Sequence, residues 1–74
     1  MEWLEFNQDL YLWRHDIEDS IVLYKIGGER VFQITGKVKG VFLELLENRC
    51  NLHEGKLRDF LVGNGIFREV KNEA

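Results

Sequence analysis

The chain has no proline, a single cysteine, a single methionine and no basic excess. Each shortage excludes something. With Cys50 alone, no internal disulfide can form, which fits a reducing compartment. Ten lysines and arginines against thirteen acidic residues give a net charge of −3, the wrong sign for a general nucleic-acid binder. A local basic patch stays open. No apolar run approaches the ~20 residues of a membrane span. The segment Met1-Glu2-Trp3-Leu4-Glu5 lacks the basic stretch and apolar core of a signal peptide. The expectation is a cytoplasmic protein without membrane contact.

Catalytic patterns are missing too. There are no paired catalytic carboxylates, no Gly-rich phosphate loop before a helix and no hydrolase elbow. His15 lies among carboxylates in Arg14-His15-Asp16-Ile17-Glu18-Asp19, but no second His or Cys stands at ligand spacing. His53 reads as a surface residue. Cys50 precedes an expected helix start without a partner base, and reads as a small apolar residue at a helix junction. The sequence thus predicts no enzyme, no cofactor and no metal. The 74 residues suffice for one domain, 1–74, that acts by binding.

What is present is an apolar framework. Residues 20–26 and 29–34 are β-branched and aromatic runs flanking Gly27-Gly28, which reads as a two-residue hairpin turn. That turn pairs Ile26 with Glu29, Tyr24 with Val31, Leu23 with Phe32, Val22 with Gln33 and Ile21 with Ile34. Ile21, Leu23, Phe32 and Ile34 then share a wholly apolar face, which must cover a core. The opposite face, with Val22, Tyr24, Ile26, Glu29, Val31 and Gln33, is mixed. Residues 9–14 predict a further strand, with 16–19 as its polar turn.

Downstream, Val38, Val41, Phe42, Leu45 and Leu46 follow helical spacing, from Gly36 or Lys37 to about Asn48, with Thr35 as N-cap. Gly40 inside that helix predicts close approach of a neighbour. A second helix is expected from near Asn51, where Glu54 completes a capping-box pattern. Leu57, Phe60 and Leu61 form its apolar stripe, and Gly63 or Gly65 ends it. Residues 66–70 read as a short final strand or packed tail, and 71–74 as a frayed end. The core expected from these patterns holds Ile21, Leu23, Phe32, Ile34, Val38, Phe42, Leu45, Leu46, Leu57 and Phe60. The fold class is α+β: a small winged-helix-like domain, a three-stranded antiparallel sheet followed by two or three helices.

Two further groups stand out. Trp3, Tyr11 and Trp13 either face a ligand or pack the core, the commoner use. Lys37, Lys39, Lys56 and Arg58 bring positive charge near both helix starts, to meet phosphates or an acidic peptide, or simply as solvated faces.

The run Ile21-Val22-Leu23-Tyr24, then Gly27 through Gly36 with Gln33-Ile34-Thr35-Gly36, then Leu45-Leu46 near a helix end, resembles the PqqD-like family. Leu57-Arg58-Asp59-Phe60-Leu61 through Gly65-Ile66-Phe67 resembles that family's last helix and exit. The likeness covers roughly residues 9–70. Where the family places a short extra helix led by a Gly-x-x-Thr-like segment, this chain has Arg49-Cys50-Asn51-Leu52-His53. The resemblance implies a RiPP recognition element, which binds the leader of a ribosomally made precursor peptide. It presents that leader to a modifying enzyme such as a radical SAM enzyme or a cyclodehydratase. The peptide would add as a strand beside Arg30, Val31, Phe32, Gln33 and Ile34, and rest on Leu57, Phe60 and Leu61, with Lys56 and Arg58 steering an acidic segment. The alternatives are a winged-helix nucleic-acid-binding domain and an unrelated protein-interaction module. Against the former, a recognition helix wants Arg, Asn, Gln or Lys at its start, where this chain offers only His53, Lys56 and Arg58.

Overall fold

The computed structural model describes residues 2–48, 50–52 and 55–71. In chain order the elements are β1 (Glu2–Phe6), β2 (Tyr11–Asp16), a 3-10 turn (Ile17–Asp19), β3 (Ser20–Lys25), β4 (Val31–Ile34), α1 (Gly36–Glu47), α2 (Lys56–Gly63) and β5 (Phe67–Lys71). The fold is α+β. One antiparallel sheet has the order β2-β3-β4, and β1 pairs with β5 in a second, two-stranded sheet.

The hairpin register is the one that alternation demands: Ile21 opposite Ile34, Val22 opposite Gln33, Leu23 opposite Phe32, Tyr24 opposite Val31. The turn itself sits one residue earlier than Gly27-Gly28 suggests. Gly28 donates its N–H to the Lys25 carbonyl at 3.1 Å, so Ile26 and Gly27 are the central pair. Gly27 takes φ +75°, the left-handed value that the third position of a type II turn requires. Ile26 is drawn there because its own N–H is taken by the Leu10 carbonyl at 2.7 Å, which extends the β2–β3 ladder.

Every residue of the expected core lies in one cluster. Ile21, Leu23, Ile34, Phe42 and Leu45 are buried, while Phe32, Val38, Leu46, Leu57 and Phe60 pack around them half-covered. The cluster also takes in Leu4, Phe6, Leu61, Ile66 and Phe67. Phe42 is its hub. Its ring meets Phe6, Phe67 and Trp13 edge-on, with centroids 5.8, 5.6 and 5.6 Å away. One residue of α1 thereby ties both sheets together.

Four expectations need correction. The strand at residues 2–6 has no counterpart in the sequence reading; it pairs residue by residue with β5, from Glu2–Lys71 to Phe6–Phe67. Lys71 is therefore in a strand rather than frayed, while 72–74 lie outside the described residues. The second helix begins at Lys56, not near Asn51. Leu4 gives its N–H to the Cys50 carbonyl at 2.8 Å, and the Leu52 carbonyl accepts Arg58 Nε at 2.8 Å, which draws this stretch away from helical pairing. Glu54 and His53 fall outside the described residues. Finally, Gly40 is not crowded: a methyl group added there would meet no atom of the described residues within 4 Å.

The end of α2 is a Schellman motif. Ile66 N–H reaches the Leu61 carbonyl at 2.9 Å and Gly65 N–H the Val62 carbonyl at 3.0 Å. Gly65 supplies φ +75°, and Leu61 and Ile66 are both fully buried beside it. Thr35 does precede α1, but its side chain makes no cap hydrogen bond.

Candidate functional site

In an antiparallel pair, main-chain groups point alternately toward and away from the partner. Lys25 donates its N–H to the Arg30 carbonyl at 3.3 Å, which fixes the phase of the β3–β4 ladder. Arg30, Phe32 and Ile34 thus turn their main-chain groups inward to β3. Val31 and Gln33 turn theirs outward, along an edge that no other strand of this sheet covers. The side chains divide the other way. Phe32 and Ile34 face the core, while Val31 and Gln33 lie on the outer face, Val31 with 57% of its surface exposed.

Of the five strand residues expected at the site, then, two offer main-chain donors and acceptors. Phe32 offers part of a ring: it stands edge-on to Phe60 of α2 at 5.4 Å and is tilted against Tyr11 at 6.4 Å. Arg30 is exposed just before the strand, and Ile34 is core. On α2, Phe60 and Leu57 are half-buried and can present an apolar shoulder beside β4. Leu61 cannot. It is 0% exposed and belongs to the interior, because the helical stripe turns it beneath Phe60 toward Ile66.

The basic residues divide in a way that spacing alone did not reveal. Arg58 is a clamp: besides the Leu52 carbonyl, its guanidinium pairs with Glu69 of β5, so it fastens α2 to the second sheet. It is not free to steer a ligand. Lys39 pairs with Asp19, and this hydrogen bond and charge hold the Asp19 carboxyl below its ordinary value, with a smaller push from His15. Lys37 and Lys56 are exposed.

His15 lies on β2 with its ring 5.2 Å from Trp13. Cys50 is half-buried. Among the described residues no three His, Cys, Asp or Glu side chains gather as metal ligands, and no helix is long and apolar enough to cross a membrane.

The outer face of the larger sheet is more apolar than alternation in the hairpin alone indicated. Leu12, Tyr24 and Val31 stand in one row across the three strands, with Leu10 and Ile26 beyond it. Leu10, Leu12, Ile26 and Val31 are all exposed. The alternation in residues 9–14 would have shown Leu10 and Leu12 on this face had the β2–β3 register been known.

In comparisons with known proteins, no family model, curated protein or solved structure matches this chain.

Proposed function

We propose that this domain binds an extended peptide by strand addition to β4, as the PqqD-like domains it resembles do. The peptide is the leader of a ribosomally made precursor, held in the cytoplasm for a modifying enzyme such as a radical SAM enzyme or a cyclodehydratase. The observation that carries this reading is the free edge of β4, where Val31 and Gln33 turn N–H and C=O outward beside the Phe32–Phe60 pair. The run of β2, β3 and β4 followed by α1 and α2 suits a winged-helix-type layout, the architecture the resemblance implies, with the β1–β5 pair added to it.

The energetics say what the site must look for. Two donors and two acceptors at about 0.5–1.5 kcal/mol each contribute about 2–6 kcal/mol. Association itself costs at least about 4 kcal/mol in lost freedom. Main-chain pairing alone therefore leaves little net affinity. Apolar side chains of the peptide on Phe60 and Leu57, at up to about 1.5–3 kcal/mol each, supply the remainder and the selectivity. Lys56 favours an acidic neighbour and acts chiefly on association rate. With Arg58 engaged by Glu69, the helix start has less to offer a DNA groove.

Calorimetric titration with a synthetic leader, taken from a short open reading frame beside this domain's gene, tests the proposal. Gln33→Pro removes an outward donor without removing one from the ladder to β3, and should weaken binding about tenfold while the domain stays folded. Phe32→Pro removes a donor the ladder uses, and should unfold the hairpin. Unchanged affinity in Gln33→Pro and Val31→Pro alike would refute addition at this edge.

A further inference from the structure

A strand added beside β4 turns its side chains alternately to the two faces of the sheet. A peptide residue directly opposite Phe32 points toward α2, to Phe60 and Leu57. Residues directly opposite Val31 and Gln33 point the other way, onto the outer face of the larger sheet. This assignment holds for a parallel and an antiparallel peptide alike, because opposed residues share a face in both.

The outer face presents two different surfaces to such a peptide. Val31, 57% exposed, ends the row that runs from Leu12 through Tyr24. Tyr24 is already engaged: its hydroxyl accepts Arg14 Nε at 2.9 Å, and the Arg14 guanidinium lies 5.5 Å from its ring centre. Tyr24 therefore backs Val31 from β3, and Val31 is the apolar group in line with an added strand. Gln33 donates Nε2 to Ser20 Oγ at 3.4 Å. Its carbonyl oxygen accepts no hydrogen bond among the described residues.

We infer that Val31 is a specificity-determining residue for the peptide proposed at β4, an inference that rests on strand addition there. It selects an aliphatic side chain directly opposite, while Gln33 takes a hydroxyl or amide donor two positions away. Opposed side chains stand about 4.5–5.5 Å apart at Cβ, so two aliphatic groups shield each other from water. A charged side chain in that place leaves Val31 wet and gains no partner. The occupant of this outer flank is the peptide itself, by continuity with its hydrogen bonds to β4: every second side chain has to lie there. The ligand then carries consecutive apolar residues, one for each face, rather than the alternation of an amphipathic strand.

The probe is Ac-Glu-Thr-Phe-Ile-Phe-Thr-Glu-NH2, which reads the same from either end, so strand direction does not alter the match. With isoleucine opposite Val31, a phenylalanine meets the α2 side and a threonine meets Gln33. The counterpart peptide has lysine in place of isoleucine. The full chain is titrated with each while its amide resonances are followed. The isoleucine peptide should bind at least about fivefold more tightly, with Val31 and Gln33 amides the most perturbed. Val31→Glu keeps the main-chain donor at an exposed position, and should reverse the order of the two peptides with a little-changed melting curve. An order that is not reversed overturns selection by Val31. Equal affinities with Val31 and Gln33 amides perturbed overturn it too, and leave strand addition standing. Binding that bypasses those amides overturns strand addition itself, and this inference with it. No binding of either peptide at about 10 mM overturns the side-chain assignment.

Discussion

Replacing Phe42 by alanine removes the ring on which α1, β1, β5 and β2 converge. Its side chain is 0% exposed and meets Phe6, Phe67 and Trp13 edge-on. Phenylalanine-to-alanine changes at such sites cost about 3–5 kcal/mol, from lost transfer energy plus the cavity left behind. Three edge-to-face contacts, each contributing about 0.5–1.5 kcal/mol beyond area, place Phe42→Ala at the upper end of that range. A 74-residue domain has about 4–11 kcal/mol of stability in total, so the loss ranges from about half of it to all of it. Phe32→Ala is the internal comparison. Full burial of Phe32 would have implied the same 3–5 kcal/mol, but the ring is half-exposed at the edge of β4, so about 1–3 kcal/mol is expected. Urea denaturation followed by circular dichroism measures both. At about 4–8 °C per kcal/mol, Phe42→Ala should lower the melting temperature by at least about 12 °C. A cost below about 1.5 kcal/mol, a value typical of surface or conservative changes, would mean that Phe42 is not the point where the two sheets meet.

Gly40→Ala should stabilise the domain by about 0.5–1 kcal/mol, since a methyl group there meets no atom of the described residues and helix propensity improves; destabilisation in the melting curve would show a neighbour that the described fold does not contain. The Asp19 carboxyl, held low first by its hydrogen bond to Lys39 and then by that charge, contributes stability that is present above the ordinary carboxylate value and is lost as pH falls through the lowered one. A carboxyl-resonance titration should show the low midpoint, and Lys39→Met should return it toward the ordinary value. An unchanged midpoint in that variant would dissociate the shift from Lys39. Arg58→Met should destabilise by about 1–3 kcal/mol in chemical denaturation, because the Leu52 carbonyl and Glu69 both lose their partner; a neutral result would restore Arg58 as a free surface charge.

The parts of this fold that could be read in advance are those whose signal is local. The β3–β4 register follows from strict alternation on both sides of a glycine-marked turn, and α1 follows from one apolar stripe. The pairing of β1 with β5 joins residues more than sixty positions apart, and Glu2 and Glu5 mask its alternation. The capping-box pattern at Asn51 was outcompeted by tertiary partners, when Cys50 and Leu52 gave their carbonyls to Leu4 and Arg58. At the candidate site, the edge position of β4 was legible once sheet order was taken to follow the chain. Which residues point outward was not, because phase depends on one hydrogen bond, Lys25 to Arg30. Periodicity marked Leu57, Phe60 and Leu61 alike, and only packing separates the buried Leu61 from the two at the surface. Trp3, Tyr11 and Trp13 were visible as an early aromatic group, but the groove they line between β1, β2 and the end of α1 needs the second sheet to exist.

Amide hydrogen exchange of the domain, with and without a saturating leader peptide, tests strand addition at β4 most directly. Val31 and Gln33 carry outward N–H groups, and their exchange should slow by at least about tenfold on binding. Phe32 and Ile34, already in the ladder to β3, should change little. Protection confined to Trp13 and His15 on β2, or no added protection at Val31 and Gln33, would contradict the proposed edge.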